Sequence, residues 1–194
     1  EQWPADQRGL CIGFWRAVFA LSLLLPLVRR VSWKLPMIPM VLSFAVMNLS
    51  FLIAIVVGSP ANTIWLQYLA PAWVMLGAVF LFGDRPIRRD WWMLSCCTMG
   101  VLFILVMESL YVQPTETTRW YAPWLAILSG VGYAAVILSM RCLPNEDPAW
   151  LVSCNHLGTA LVVGPILLLW NPSLPQGSLW WILIGLGTIQ IGLP

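Results

Sequence analysis

The sequence predicts an all-α integral membrane protein, a polytopic helical bundle, and three observations carry that reading. Of its 194 residues, 60% are hydrophobic and 9% charged, too few charged side chains to cover a large soluble domain. Several apolar runs reach the roughly 17–25 residues that a helix needs to cross a bilayer. They are continuous rather than alternating, which excludes a transmembrane β-barrel. Finally, many of the 13 tryptophans gather near the ends of these runs. Trp33, Trp91, Trp92, Trp120, Trp124, Trp150, Trp170, Trp180 and Trp181 are placed as an interfacial belt would place them.

Charge and turn clusters bound about seven spans, at 11–28, 36–57, 62–83, 91–107, 120–141, 149–170 and 178–194. The connections are short: RRVSWK, GSPAN, GDRPIRRD, ESLYVQPTETTR, RCLPNEDP and NPSLPQGS. The first span carries Arg16, and the second carries Asn48. The third holds Pro71 at its centre and ends on Gly83-Asp84-Arg85-Pro86, where glycine stops the helix and the charges enter the interface. Alternate loops collect Arg29, Arg30, Lys34, Arg85, Arg88, Arg89 and Arg141, while the opposite set has only Arg8 and Arg119. The positive-inside rule therefore places the first set in the cytoplasm and starts the first span on the outer side. A chain that starts outside at Glu1 with no signal peptide, and stops within the apolar run IGLGTIQIGLP, reads as an internal segment of a longer protein.

Several chemistries lack their residues. Cys11, Cys96, Cys97, Cys142 and Cys154 form no C-x-x-C pair, and His156 is the single histidine, so neither a metal site nor a redox site is expected. No glycine-rich phosphate loop or G-x-S-x-G motif is present, and no cofactor is expected. Nucleic acid has no basic patch to bind. The triplet Asn48-Leu49-Ser50 falls inside a span and is not read as a glycosylation site. An integral-membrane enzyme would need clustered ionisable groups at one interface. The richest clusters, Asp84 to Asp90 and Glu146-Asp147, lack a matching catalytic partner.

Polar groups inside the spans are the candidate substrate contacts. Thr63, Gln67 and Pro71 recur at spacing four and share a helix face. Pro71 frees a carbonyl near Gln67, which lipid tolerates only beside other polar groups or a watery cavity. The stripe is either a cavity lining or a packing kink. Asn48 and Gln190 are either interhelical hydrogen-bonding amides or cavity lining. Arg16, read as near the outer end of its span, either snorkels outward or meets the substrate. Ser129 and Tyr133 share a face, and Tyr133 and Trp65 can stack on or bond a ligand. His156 is a candidate for proton coupling. Glu108 ends the fifth span in solvent. No acidic residue is placed at mid-membrane, which favours exchange or uniport over a cation-coupled pump unless other spans supply the coupling group.

The chain also repeats itself weakly. Asn48 in LSFAVMNLSF and Gln190 in IGLGTIQIGL lie 142 residues apart, and Arg16 and His156 lie 140 apart. About five spans separate the copies, so the two halves would run in opposite directions, as in many secondary transporters.

The order FWRAVFALSLLLPL, a span with Asn48, then ANTIWLQYLAPAWVMLGAVFLFGDRP resembles the first half of an EamA-type protein of the drug/metabolite transporter superfamily. Arg16, Pro71 and Gly83-Asp84-Arg85 match the family's second-span arginine, fourth-span proline and G-E-R close, with aspartate replacing glutamate. RDWWMLSCCTMGVLFILV resembles the fifth span, and WLAILSGVGYAAVILSMR the sixth. The resemblance implies ten spans in two inverted five-span repeats, of which residues 1–107 hold most of the first and 120–194 the start of the second. It further implies a permease for a small polar metabolite or amino acid, an exporter working by alternating access in a bacterial inner membrane. A lipid or nucleotide-sugar carrier, a membrane scaffold and an integral-membrane enzyme are the alternatives. The expected partners are the lipid bilayer and a small-molecule substrate, with a homodimer left open.

Overall fold

The structure, a computed structural model, describes residues 3–111 and 119–188, all helix and connecting turns with no strand among them. The helices are α1 (Ala5–Leu24), α2 (Met37–Val57), α3 (Pro60–Gln67), α4 (Ala70–Phe82), α5 (Arg88–Tyr111), α6 (Ala122–Arg141), α7 (Pro148–Trp170) and α8 (Leu179–Thr188). Six stretches are long and apolar enough to cross a membrane, α3 and α4 counting together as Pro60–Phe82. The seventh expected span opens as α8, and its part beyond residue 188 lies outside the described residues. The protein is thus a multi-pass integral membrane protein.

Two elements differ from the sequence expectation. Helix α1 starts six residues early because Pro4 initiates it: the Gln7 and Arg8 amides donate to the Pro4 carbonyl at 3.1 and 3.0 Å. The polar stretch Ala5–Arg8 is therefore first turn rather than loop. The third span is also not one kinked helix. Ser59 caps α3 by accepting from the Asn62 amide, the chain turns at Tyr68 and Leu69, and Pro71 falls in the first turn of α4. There its missing N–H would have had no intrahelical partner anyway. The proline that does lie within a helix is Pro165 of α7. At the far end of α4, Gly83 adopts φ 69°. The Gly83 and Asp84 amides return to Val79 and Ala78 at 3.1 and 3.2 Å, the glycine stop expected from the sequence.

Helix α2 is the hub, packed against α6, α1 and α7, while α5 leans mainly on α3 and α4 among the described residues and leaves most of its surface to lipid. Without a hydrophobic driving force between helices in lipid, close approach depends on small side chains. A Cβ at Gly9 would lie 3.1 Å from the Leu52 carbonyl oxygen, and one at Gly132 would lie 2.9 Å from Met47 Cβ. Gly9 and Gly13 form a small-xxx-small pair on α1, so α1 rides against α2 almost backbone to backbone.

The basic loops converge at one end of the bundle. Asp147 caps α7 through the Ala149 amide at 3.0 Å and accepts from the Arg29 and Arg30 amides at 2.6 and 3.1 Å. Lys34 pairs with Glu146 at 2.5 Å, the Ser32 hydroxyl also donates to Glu146, and Trp150 Nε1 donates to the Ser32 carbonyl at 2.6 Å. Arg141 closes on Asp84 with two bonds of 2.5 and 3.1 Å. The Arg29 amide holds the Asp147 carboxyl below its ordinary range, and the Lys34 bond does the same for Glu146. Both carboxylates therefore stay ionised at neutral pH, and the clasp persists there.

Cys142 is exposed at this basic end, whereas Cys11 and Cys154 are buried. A membrane-impermeant maleimide is expected to label Cys142 in inverted membrane vesicles but not in right-side-out ones. Labelling from the outer side alone would reverse the orientation read from the charges.

Candidate functional site

The core is layered along the membrane normal. Toward the basic end, Met37, Met40, Val136, Trp150, Leu151 and Cys154 form one apolar cluster. Toward the other end, Leu10, Cys11, Val163, Leu167 and Leu183 form a second. Between them on α1, α2 and α7 lie Arg16, Asn48, Asn155, His156 and Thr159, and all but Arg16 are buried.

Arg16 is eleven residues from the start of α1 and eight from its end, or about 16 Å and 12 Å at 1.5 Å per residue. It does not snorkel outward. Its Nη2 donates to the Asn48 side-chain oxygen across the α1–α2 seam, with no other hydrogen-bond partner among the described residues. Insertion scales put a centrally placed arginine at about 2.5–3.5 kcal/mol unfavourable. One charge-assisted bond offsets about 1.5–3 kcal/mol, so the bond makes burial tolerable but leaves the charge unneutralised. No Asp or Glu lies in the described spans except Asp90 near the basic end of α5, where its carboxylate accepts from the Ile87 amide.

His156 faces the same layer from α7. Its ring meets Phe44 edge-on at 5.2 Å, and Phe44 is one turn before Asn48. Neither ring nitrogen has a hydrogen-bond partner among the described residues, and the ring is 1% exposed. Asn155 Oδ1 and Ser153 Oγ are also buried and unpartnered. Buried polar groups are rarely left so, and here several are concentrated on one helix.

The remaining sequence candidates fall elsewhere. Gln67 Nε2 donates to Ser129 Oγ at 2.8 Å, joining α3 to α6. Thr63 is buried, but its hydroxyl turns to the Ser59 carbonyl at 3.0 Å. Pro71 and Tyr133 come together, lining a recess of about 460 Å³ between α4, α5 and α6. Ser129 and Tyr133 diverge: Ser129 is buried toward α3, whereas Tyr133 is half-exposed. Trp65 packs on Tyr68 with ring centroids 5.7 Å apart. Gln190 lies outside the described residues, as does the side chain of Glu108. The candidates thus mark three places: Arg16 with Asn48, Gln67 with Ser129, and Pro71 with Tyr133.

A cleft of about 850 Å³ opens between α2, α4 and α6 toward the basic end. Its lining is almost wholly apolar, including Leu76, Phe80 and Leu138, with Ser43, Ser139 and the unpartnered Trp73 Nε1 as its polar groups. Arg141 stacks over Phe82 at its edge, 4.6 Å from the ring centroid. The sequence reading missed this cleft, because single serines in apolar runs give no signal and the wall exists only once three helices meet.

Comparison with known proteins agrees with this architecture. The pseudopaline exporter CntI of Pseudomonas aeruginosa PAO1 is 26% identical over 190 residues, covering 93% of this chain. Its counterpart in strain UCBPP-PA14 is 25% identical over the same length. The chain spans 64% of the length of each of these relatives. No solved structure gives a significant match. Residues 5–106, which run from α1 into α5, match the EamA-like transporter family, and the chain belongs to that family.

Proposed function

We propose that this chain belongs to a bacterial inner-membrane exporter of a small polar metabolite or amino acid, working by alternating access. The observation that carries the reading is the polar layer of half-buried Arg16 with buried Asn48 and His156 on the packed helices α1, α2 and α7. Intramembrane ionisable groups are expensive to bury and generally mark a transport path. The exporter names of the relatives support the direction of transport.

Residues 1–107 and 120–194 are, in this reading, portions of two inverted five-span repeats. Helix packing supports it. A five-span shift pairs α1 with α7 and α2 with α8. It therefore leaves the α1–α7 contact in place and exchanges α2–α7 with α1–α8, and all three contacts occur. Arg16 and His156, matched by the repeat, are carried by the two helices of that α1–α7 contact. The transport site at the seam between halves follows the general plan of such carriers.

The test is a comparison of metabolites in the medium of bacteria expressing the intact protein and of bacteria carrying the empty vector. Accumulation of one or a few polar metabolites outside the expressing cells is the expected result. Identical media would sink the exporter reading. The apolar cleft keeps a lipid carrier of the same superfamily as the second reading, and lipid release without metabolite release would favour it.

A further inference from the structure

Arg16 poses an unsolved electrostatic problem. A guanidinium offers five N–H donors in a planar fork, and among the described residues one of them is used, on a neutral amide. The elements packed around it are α2, α7 and α8, and none presents a carboxylate among the described residues. On α7, His156 presents two buried nitrogens without partners. A cation short of acceptors on α1 and an unpartnered donor–acceptor ring on α7, which packs against α1, leave a place that an anionic oxygen group would complete.

We propose that Arg16 docks a carboxylate of the cargo, and that the Asn48 amide oxygen holds that carboxylate's place while the carrier is empty. The inference rests on the transporter reading and narrows its substrate to compounds bearing a carboxylate. A carboxylate matches the fork of a guanidinium and carries the single negative charge that one arginine neutralises. A phosphate carries up to two charges at neutral pH, and the described residues of this layer hold no second lysine or arginine. The amide oxygen of asparagine has the shape of a carboxylate oxygen without its charge. It therefore satisfies one N–H of Arg16 but yields to a true anion when the α1–α7 seam opens. His156 then donates its ring N–H to the second oxygen of the incoming group.

The discriminating variant is Asn48→Asp in the intact protein, which changes charge at nearly constant shape. It supplies Arg16 with a permanent internal carboxylate. Export of the metabolites identified in the medium comparison should fall at least tenfold, while the thermal midpoint of the purified protein rises. Asn48→Ala removes the placeholder without competing, so it should export measurably. Arg16→Gln should abolish export without lowering the midpoint of the unliganded protein, and Arg16→Lys should retain part of the activity. Wild-type export by Asn48→Asp or by Arg16→Gln would overturn the proposal, as would export of compounds lacking a carboxylate. A lowered midpoint in unliganded Arg16→Gln would also overturn it, because the arginine would then serve a carboxylate of the protein itself. If the wild type exports nothing, the transporter reading fails first. If it exports but ignores these variants, only the carboxylate assignment fails.

Discussion

Gly132→Leu is expected to prevent the bundle from assembling, giving little folded protein in detergent and a sharply lowered thermal midpoint in what survives. A Cβ at position 132 would lie 2.9 Å from Met47 Cβ, 3.1 Å from the Ser43 carbonyl oxygen and 3.2 Å from Met47 Cα. Two of those atoms are backbone, so no rotamer change relieves the clash and α2 itself must move away from α6. Overpacking a tight site destabilises by about 1–3 kcal/mol even where side chains can adjust, and a whole isobutyl group at a backbone contact exceeds that range. Because α2 also carries Asn48 and packs on α1 and α7, the displacement would reach the polar layer. Gly100 supplies the control, since nothing lies within 4 Å of a Cβ there. Gly100→Ala should leave the fold intact or stabilise it by up to about 1 kcal/mol through helix propensity. Equal midpoints for Gly132→Leu and Gly100→Ala would remove the α2–α6 seam as the organising contact.

The contrast between these two glycines illustrates what a single sequence makes legible. Both lie inside apolar spans, and nothing in the local pattern marks one as a helix contact and the other as bare to lipid. A span long enough to cross the membrane can be read directly, because its length and hydropathy are properties of the segment itself. The stop at Gly83 can be read for the same reason. Its cause is local, one residue in the left-handed region closing two carbonyls.

Side-chain partners are not local, and the reading of Arg16 turned on a small error of this kind. Taking the first span to begin at residue 11 places Arg16 near an interface, where snorkelling is cheap. Once Pro4 starts the helix at Ala5, the same arginine lies near the middle and must find a partner inside. The reading of Pro71 failed similarly. A proline at the centre of an apolar run has the same sequence signature whether it kinks one helix or opens a second. The turn at Tyr68 and Leu69 decides that, and neither residue is a marked turn former. By contrast, the polar identities of Asn48, Gln67 and Arg16 were plain in the sequence, because lipid makes any such side chain conspicuous. What they bond to required three helices to be brought together.

His156→Leu is expected to separate stability from transport. The ring is 1% exposed and both its nitrogens lack partners among the described residues. The fold therefore bears the desolvation of two polar atoms with no hydrogen bond in return, a loss of about 1–3 kcal/mol for each buried unsatisfied group. Leucine occupies a similar volume and keeps the apolar contact with Phe44. The substitution should therefore raise the thermal midpoint of the purified intact protein by an amount corresponding to at least about 1 kcal/mol. Export should fall in the same variant, because the ring N–H that would meet the cargo is gone. A residue that only filled space would show neither change. A histidine bonded to some other part of the intact protein would show the reverse in stability, a lowered midpoint. The two measurements together thus distinguish a group retained for cargo from one retained for the fold. A protein that keeps an unsatisfied imidazole and an unneutralised guanidinium on adjoining helices, where leucine would pack as well as the ring, is expected to need both for what passes between the helices.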